Sequence, residues 1–359
     1  MEITVSNAYE LPDLAVRWLE LEARADGGFF LSWRWIGSWL RATGARPLLV
    51  QAQEAGKIVA LGLLSPARRR GLLFSIDRLC LNETGRPEWD AVMIEHNGFL
   101  LAREAPEGAA AAIFRALQAS DPAWDEIVLG GVSADMPAAA RASGLAIVMD
   151  RVSPDFGVLL AGPDQAGRWE DSLSQNLRSQ LRQSRNFAER TGPLVLQAAA
   201  SVPQALEFFE KMTALHTAYW QSRGKPGAFA TPSSLGFHRE VIGSQAGLGQ
   251  VDLLELRAGS QVLGYLYNFQ FGGRVYSYQS GFAYGEDNRH RPGLLAHALA
   301  IGQAQARGLR VYDFLAGEAP YKARLGQRLG DIVWCRGQRN RPMLRLERAA
   351  HACMAGLRR

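Results

Sequence analysis

The sequence predicts an α/β chain built on mixed sheets and divided into two tandem domains. Three observations lead there. The chain has 359 residues, about twice the common size of one domain. Period-two apolar runs alternate with runs of helical spacing, the pattern of sheets covered by helices. One order of elements, a β-meander followed by a connecting helix and a returning strand, is read once in each half. The halves share this order without a residue-level repeat, so a duplicated unit is expected rather than a solenoid. The expected boundaries are 1–160, 161–335 and a basic tail or helix at 336–359, with Pro and Gly gathering at 151–168 to mark the junction.

Composition narrows the class. With 47% hydrophobic and 21% charged residues, the chain can build a large core without disulfide or metal staples. Cys80, Cys335 and Cys353 lack the paired spacing of a metal site, so reduced thiols and no metal are expected. The net charge is +5, and only four of the 40 basic residues are lysines. So mild an excess does not point to DNA, although it suits an anionic co-substrate. The opening "MEITVSNAYELPDL" has acids where a signal peptide has bases and an apolar run. No stretch reaches the ~18 apolar residues of a membrane span. Cytoplasmic residence is expected.

The first 45 residues read as helical, because "LPDLAVRWLELEA" and "WRWIGSWLRAT" space apolar residues three and four apart. Trp33, Trp35 and Trp39 then read as packing residues. "RPLLVQAQ" and "KIVALGLLS" around "EAG" form a hairpin. "ARRRGLLFSI" is a basic turn into another apolar run, and "VMIEHNGFLLA" a further strand or strand end. "PEGAAAAIFRALQAS" is a helix by its alanines, "WDEIVLGGV" a buried strand, and "ADMPAAARASG" a helix closed by glycine.

The second half repeats this grammar. "SLSQNLRSQLRQSRNFAERTG" is a basic amphipathic helix ending near Gly192, "PLVLQAA" a strand, and "VPQALEFFEKMTALHTAYWQSRG" a long helix. Residues 250–283 read as strand, turn, strand, "GG" turn, strand, with clear alternation in "YLYNFQF". "RPGLLAHALAIGQAQARG" is a helix between Pro292 and Gly308, and "LRVYDFL" is the strand after it. In the tail, a helix packing back through Leu344, Leu346 and Met354 is expected; its arginines also suit peripheral contact with an anionic membrane face.

Three clusters carry candidate chemistry. "DNRHRPGLLAHAL" puts Arg289, His290, Arg291 and Gly293 ahead of a helix start, where unpaired amides and the positive helix end favour an anion such as a pyrophosphate. "YDFLAGEAPYKAR" gathers Asp313, Glu318, Tyr321 and Lys322 at a strand's carboxyl end. There a carboxylate suits a general base, and a phenol suits return of a proton to a leaving thiolate. "LHTAYWQSRGKPGAF" sets His216 and Trp220 on one helix face ahead of Arg223, Lys225 and Phe229.

Taken in order, these three stretches and the basic helix "LRSQLRQSRNFAERTG" resemble the GNAT-superfamily acetyltransferases of bacterial cellulose-biosynthesis and cell-envelope type. The resemblance is best over residues 165–325. It implies two GNAT-like domains, the double arrangement shared with peptidoglycan-bridge aminoacyltransferases. It also implies N-acyl transfer from an acyl-CoA, acetyl or longer, to an amine, with the acceptor between the halves. On that reading Arg289, Arg291, Gly293 and Leu294 hold the co-substrate. His216, Asp313, Glu318, Tyr321 and Lys322 are catalytic, and Trp220, Arg223, Lys225 and Phe229 bind the acceptor. "RHRPGLL" departs from the family's phosphate loop, R/Q-x-x-G-x-G/A, in having one glycine and a leucine at the last small position. A donor carried on acyl carrier protein or tRNA therefore stays open, as does a non-catalytic partner with the same fold.

Overall fold

The computed structural model describes residues 1–71, 74–90, 92, 94–120, 124–161, 167–244 and 248–356, with no side chains described at 351–356. It divides into one unit of residues 1–153 and 331–359 and a second of residues 154–330. The expected tail thus belongs to the first unit, together with strand residues on its N-terminal side. Both units are α/β with mixed sheets, as expected. Among the described residues no helix is long and apolar enough to cross a membrane.

The first unit opens on a strand, β1 (Glu2–Ser6), where only helix was expected. Helices α1 (Leu11–Glu22) and α2 (Trp33–Thr43) follow, the second started by Ser32 Oγ accepting from the Trp35 amide. Trp35 and Trp39 are buried packing residues. β2 (Leu48–Glu54) and β3 (Lys57–Arg70) form the hairpin. Ala55 and Gly56 both have positive φ, the conformation a two-residue hairpin turn requires. Strand β3 runs on through the arginines read as a turn and pairs with β4 (Ser75–Leu81). A short helix, α3 (Pro87–Asp90), precedes "VMIEHNGFLLA", and that stretch ends in a two-residue strand, β5 (Leu100–Leu101), the strand end expected there. Position 93 of that stretch lies outside the described residues. Then come α4 (Ala109–Ala119), β6 (Glu126–Ser133) and α5 (Asp135–Ala142). Next, β7 (Ala146–Leu159) is a continuous strand through the stretch read as a junction.

The second unit takes its edge strand from the last residues of β7. It then has α6 (Gln175–Ala188), β8 (Leu194–Ala198), α7 (Val202–Gln221) and α8 (Pro232–Gly243), the last not anticipated. The meander is β9 (Val251–Ala258), β10 (Gln261–Phe271) and β11 (Arg274–Phe282). Helix α9 (Pro292–Ala306) leads to β12 (Val311–Ala316), followed by α10 (Pro320–Leu325) and β13 (Gln327–Gln338). The strand order is β7-β12-β11-β10-β9-β8. β12 runs parallel to β11 and the other neighbours are antiparallel. Helix α9 is apolar nearly all round and correspondingly buried, from Leu295 to Ala304.

In the first unit the order is β1-β2-β3-β4-β6-β13, with β6 parallel to β4 and residues 332–338 of β13 antiparallel to β6. Each unit therefore completes its sheet with a strand that the other stretch of chain begins or ends. A last helix, α11 (Pro342–Gly356), buries Leu344 but leaves Leu346 66% exposed. The inward position one turn on is Glu347, not Leu346, because Arg69 reaches it at 2.9 Å. The expected packing by Met354 lies outside the described side chains.

A buried ionic cluster ties this last helix to the sheet. Glu126 is fully buried and meets Arg69 Nε at 2.7 Å, Arg78 Nε at 2.8 Å and Gln338 Nε2 at 2.9 Å. Removing the carboxylate takes this buried partner from Arg78, while Arg69 keeps Glu347, a change that costs about 3–5 kcal/mol. Glu126→Ala is expected to lower the unfolding free energy measured by urea titration by that amount. A loss below about 1 kcal/mol would contradict the cluster's role.

Candidate active site

The site is built where two parallel strands part. β11 and β12 are registered at only three positions, the last being Tyr276 with Asp313. Beyond it β12 turns away through Leu315, which has φ +62°. A branched residue in that conformation must be held there by its surroundings. Asp313 and Lys322 do the holding. Asp313 is fully buried; its Oδ1 accepts from the Leu315 amide at 2.7 Å and its Oδ2 from Arg274 at 2.7 Å. The buried Lys322 ammonium donates to the carbonyls of Leu315 at 3.0 Å and Ala316 at 2.6 Å.

The parting leaves a cavity of about 400 Å³ inside the second unit. β11 lines it with Ser280 and Phe282, and α10 with Tyr321. The loop before α9 and its first turns add Tyr284, His290, Arg291, Gly293, Leu294 and His297. Pro292 has no amide hydrogen, and the amides of Gly293 and Leu294 have no carbonyl behind them in the helix. A Cβ on Gly293 would sit 3.1 Å from the Phe282 ring, so glycine lets the helix tip close on the cavity wall. Helix α6 anchors the loop, with Ser184 Oγ accepting from the Arg291 amide at 3.2 Å and Gln180 Oε1 accepting from Arg324 at 2.6 Å.

The expected residues therefore divide. Arg291, Gly293, Leu294 and Tyr321 meet around one hollow, the arrangement the sequence reading required of the helix start and the "YDFLAGEAPYKAR" turn. Arg289 lies off the cavity lining and forms a two-point ion pair with Asp287, at 2.6 and 3.0 Å. Asp313 and Lys322 lie behind the lining as brackets of the strand turn, and Glu318 is exposed on that turn. His216 is buried on α7. Its Nδ1 donates to the Ser280 carbonyl at 2.9 Å and its Nε2 accepts from the Ala228 amide at 3.2 Å, so both ring nitrogens are engaged in fixing the loop after α7. Phe229 is buried against the His216 ring, 5.0 Å between centroids. Trp220, Arg223 and Lys225 reach the cavity rim only through neighbours. Lys225 stands over the Trp220 ring, Arg223 over Tyr219, and Tyr219 stacks beside the lining residue Tyr284. Sequence reasoning missed His297, Tyr284 and Phe282. The spacing of His297 and Phe282 is that of ordinary core residues, and Tyr284 lies exposed in the loop after β11.

The corresponding parting in the first unit is filled. β4 and β6 also register at three positions, ending at Cys80 and Val128. There Asn97 Nδ2 donates to both the Leu81 and Gly130 carbonyls at 2.9 Å, and the Asn97 amide donates to the Gly131 carbonyl at 2.8 Å. The part of this stretch ahead of β5 is irregular and supplies the plug.

Burial sets the protonation of the imidazoles. Desolvation pushes His238 down to about 3, and desolvation together with the Lys322 charge does the same to His297. Desolvation also lowers His216, and it raises the Tyr321 phenol well above its usual range, keeping it protonated.

With this geometry in view, residues 175–323 match the family model described as an acetyltransferase (GNAT) domain. No curated protein sequence matches the chain. FemX resembles it at TM-score 0.58 and 10% identity, over 96% of this chain and 99% of that one. The C-terminal domain of a putative lysylphosphatidylglycerol synthetase from Agrobacterium fabrum gives 0.56 and 11%, over 92% and 93%. L-PGS from Bacillus licheniformis gives 0.54 and 12%, over 94% of each chain. At these identities the likeness is one of fold, tandem GNAT-type domains.

The neutral imidazoles carry a pH signature. A histidine whose folded pKa lies below its unfolded value of ~6.5 takes up a proton on unfolding. Its stabilisation is complete above pH ~6.5 and is lost as pH falls below that value. His238 and His297 together are expected to withdraw about 4 kcal/mol between pH 7.5 and 5. Urea midpoints over this range should show uptake of about two protons per unfolding event near pH 5; a flat profile would refute neutral burial.

Proposed function

We propose that the chain is an N-acyltransferase whose second unit takes an acyl thioester and passes its acyl group to an amine. One observation carries this reading: the α9 amides and the Tyr321 phenol share a single cavity, opened by the parting of β11 and β12. That combination supplies what thioester aminolysis needs. Cationic helix-end donors meet an anionic tail, open β11 edge amides suit a carbonyl, and a protonated phenol suits a departing thiolate. The first unit, whose parting is plugged by Asn97, is assigned no donor.

The residues present fit an acyl-CoA. Gly293, Leu294 and Arg291 would meet its pyrophosphate, while Phe282 and Tyr321 would line the acyl end. The bound thioester supplies the activated carbonyl. Tyr321 excludes water from that end and delivers a proton to sulfur. Asp313 and Lys322 act at one remove, by holding the turn that aims Tyr321. Trp220, Arg223, Lys225 and Phe229, with His216 behind them, form the acceptor side of the rim. The acceptor is a small-molecule amine, in envelope or polysaccharide metabolism, and the setting is cytoplasmic. A second reading, transfer from aminoacyl-tRNA as in peptidoglycan-bridge enzymes, is favoured by Leu294 standing where a closer phosphate cradle has a small residue.

Thermal stabilisation separates the two donors. Acetyl-CoA at 100 times its Kd is expected to add about 2.7 kcal/mol of stability, and Leu294→Gly should tighten it. Binding of tRNA with steep salt dependence, and none of CoA, would favour the second reading. For catalysis, Tyr321→Phe should lower kcat about 10²-fold or more at unchanged donor KM. Asp313→Asn should instead lower the unfolding midpoint. Equal kcat in Tyr321→Phe and the wild type would remove Tyr321 from the chemistry.

A further inference from the structure

Among the polar rings of the cavity wall, His297 has a free edge and no assigned role. His297, on the second turn of α9, is 4% exposed. Its ring stacks on Tyr321 at 5.1 Å and 14°, and meets Phe314 edge-on at 5.5 Å. Nδ1 lies 3.2 Å from the Tyr312 hydroxyl. That hydroxyl oxygen accepts from Asn268 Nδ2, and Ser277 also hydrogen-bonds it. With its oxygen accepting from Asn268, the Tyr312 hydroxyl is able to give its own proton to Nδ1. The imidazole then carries its hydrogen on Nε2. Nε2 has no hydrogen-bond partner among the described residues, and the ring forms part of the cavity lining.

We infer that His297 uses Nε2–H to donate a hydrogen bond to the carbonyl oxygen of the acyl group held in this cavity. It is therefore a catalytic residue of the transfer, with Tyr312 as the positioning residue that fixes its tautomer. The inference rests on the acyltransferase reading. The amine nitrogen attacks the carbonyl carbon, and the π pair moves onto the oxygen, where Nε2–H stabilises it. As the C=O bond re-forms, the C–S bond breaks and its pair leaves on sulfur. The amine loses one proton and sulfur gains one, so amide and thiol are the products and no redox partner is needed. His297 keeps its proton throughout. A neutral donor already oriented in a buried wall stabilises developing charge without reorganising, and an imidazole held far from titration does so at constant strength across neutral pH.

Three readouts on the full chain test this. Nitrogen-15 NMR of the histidine-labelled free protein should show His297 protonated at Nε2 and bare at Nδ1, with no titration between pH 5.5 and 8. The infrared carbonyl band of bound acetyl-CoA, carbon-13 labelled at the acetyl carbonyl, should move to lower frequency than in water, and return toward that of an undonated thioester in His297→Phe and His297→Gln. Removing the donor should lower kcat about 10²–10³-fold with donor KM nearly unchanged. Tyr312→Phe should give mixed tautomers and a smaller loss. Acetyl-CoA that binds with an unmoved carbonyl band, or a wild-type ring protonated at Nδ1, overturns the role of His297 while leaving the acyltransferase reading standing. Failure of acetyl-CoA to bind at all overturns the CoA reading, and this inference with it.

Discussion

The second unit depends on where one strand pair stops. β11 and β12 keep parallel register to Tyr276 and Asp313 and no further. The stop is enforced by Leu315 in the left-handed region, fixed from one side by the Asp313 carboxylate and from the other by the Lys322 ammonium. Without that bracket the ladder could extend, β12 would close on β11, and the cavity would be filled by sheet. Asp313 can play this part while fully buried because Arg274 compensates it; an uncompensated carboxylate in that place would be costly. The same bracket sets the start of α10 and therefore the direction of Tyr321.

The two units show one topology under two fates. Each has a meander, a helix and a parallel strand that leaves its partner after three registered positions. In the first, Asn97 satisfies the carbonyls on both sides of the gap, as buried backbone groups require, and the structure closes. In the second, aromatic rings and an imidazole line an open space beside the corresponding edge. A retained fold thus says little about retained chemistry; the difference lies in what occupies one gap.

Placement also divides the polar residues by task. Asp313, Lys322 and His216 spend their hydrogen-bonding capacity on backbone and counter-ion, which rigidifies the site's frame. Tyr321, His297 and the first residues of α9 line the cavity. A frame satisfied internally and a lining satisfied only by ligand is the arrangement that pre-organises a site.

The sequence by itself determined the α/β class, the twofold order of elements, and the helix start at Pro292 beside a strand ending near Phe314. Apolar periodicity and proline and glycine positions are local properties, and they are written residue by residue. The hollow shared by Gly293 and Tyr321 was legible for the same reason, because the parallel pairing of neighbouring elements brings helix starts and strand ends together. Tertiary structure decided the rest. It put Asp313, Lys322 and His216 into hydrogen bonds with backbone and counter-ion, and brought the unremarked His297 to the cavity. It also made a plug of Asn97, ahead of the short strand β5. Burial and hydrogen-bond partners govern whether a titratable side chain reacts or merely holds, and those are set by residues far away in sequence. Arg274 lies 39 positions from Asp313 and Ser280 lies 64 from His216, so no local pattern could have carried that information.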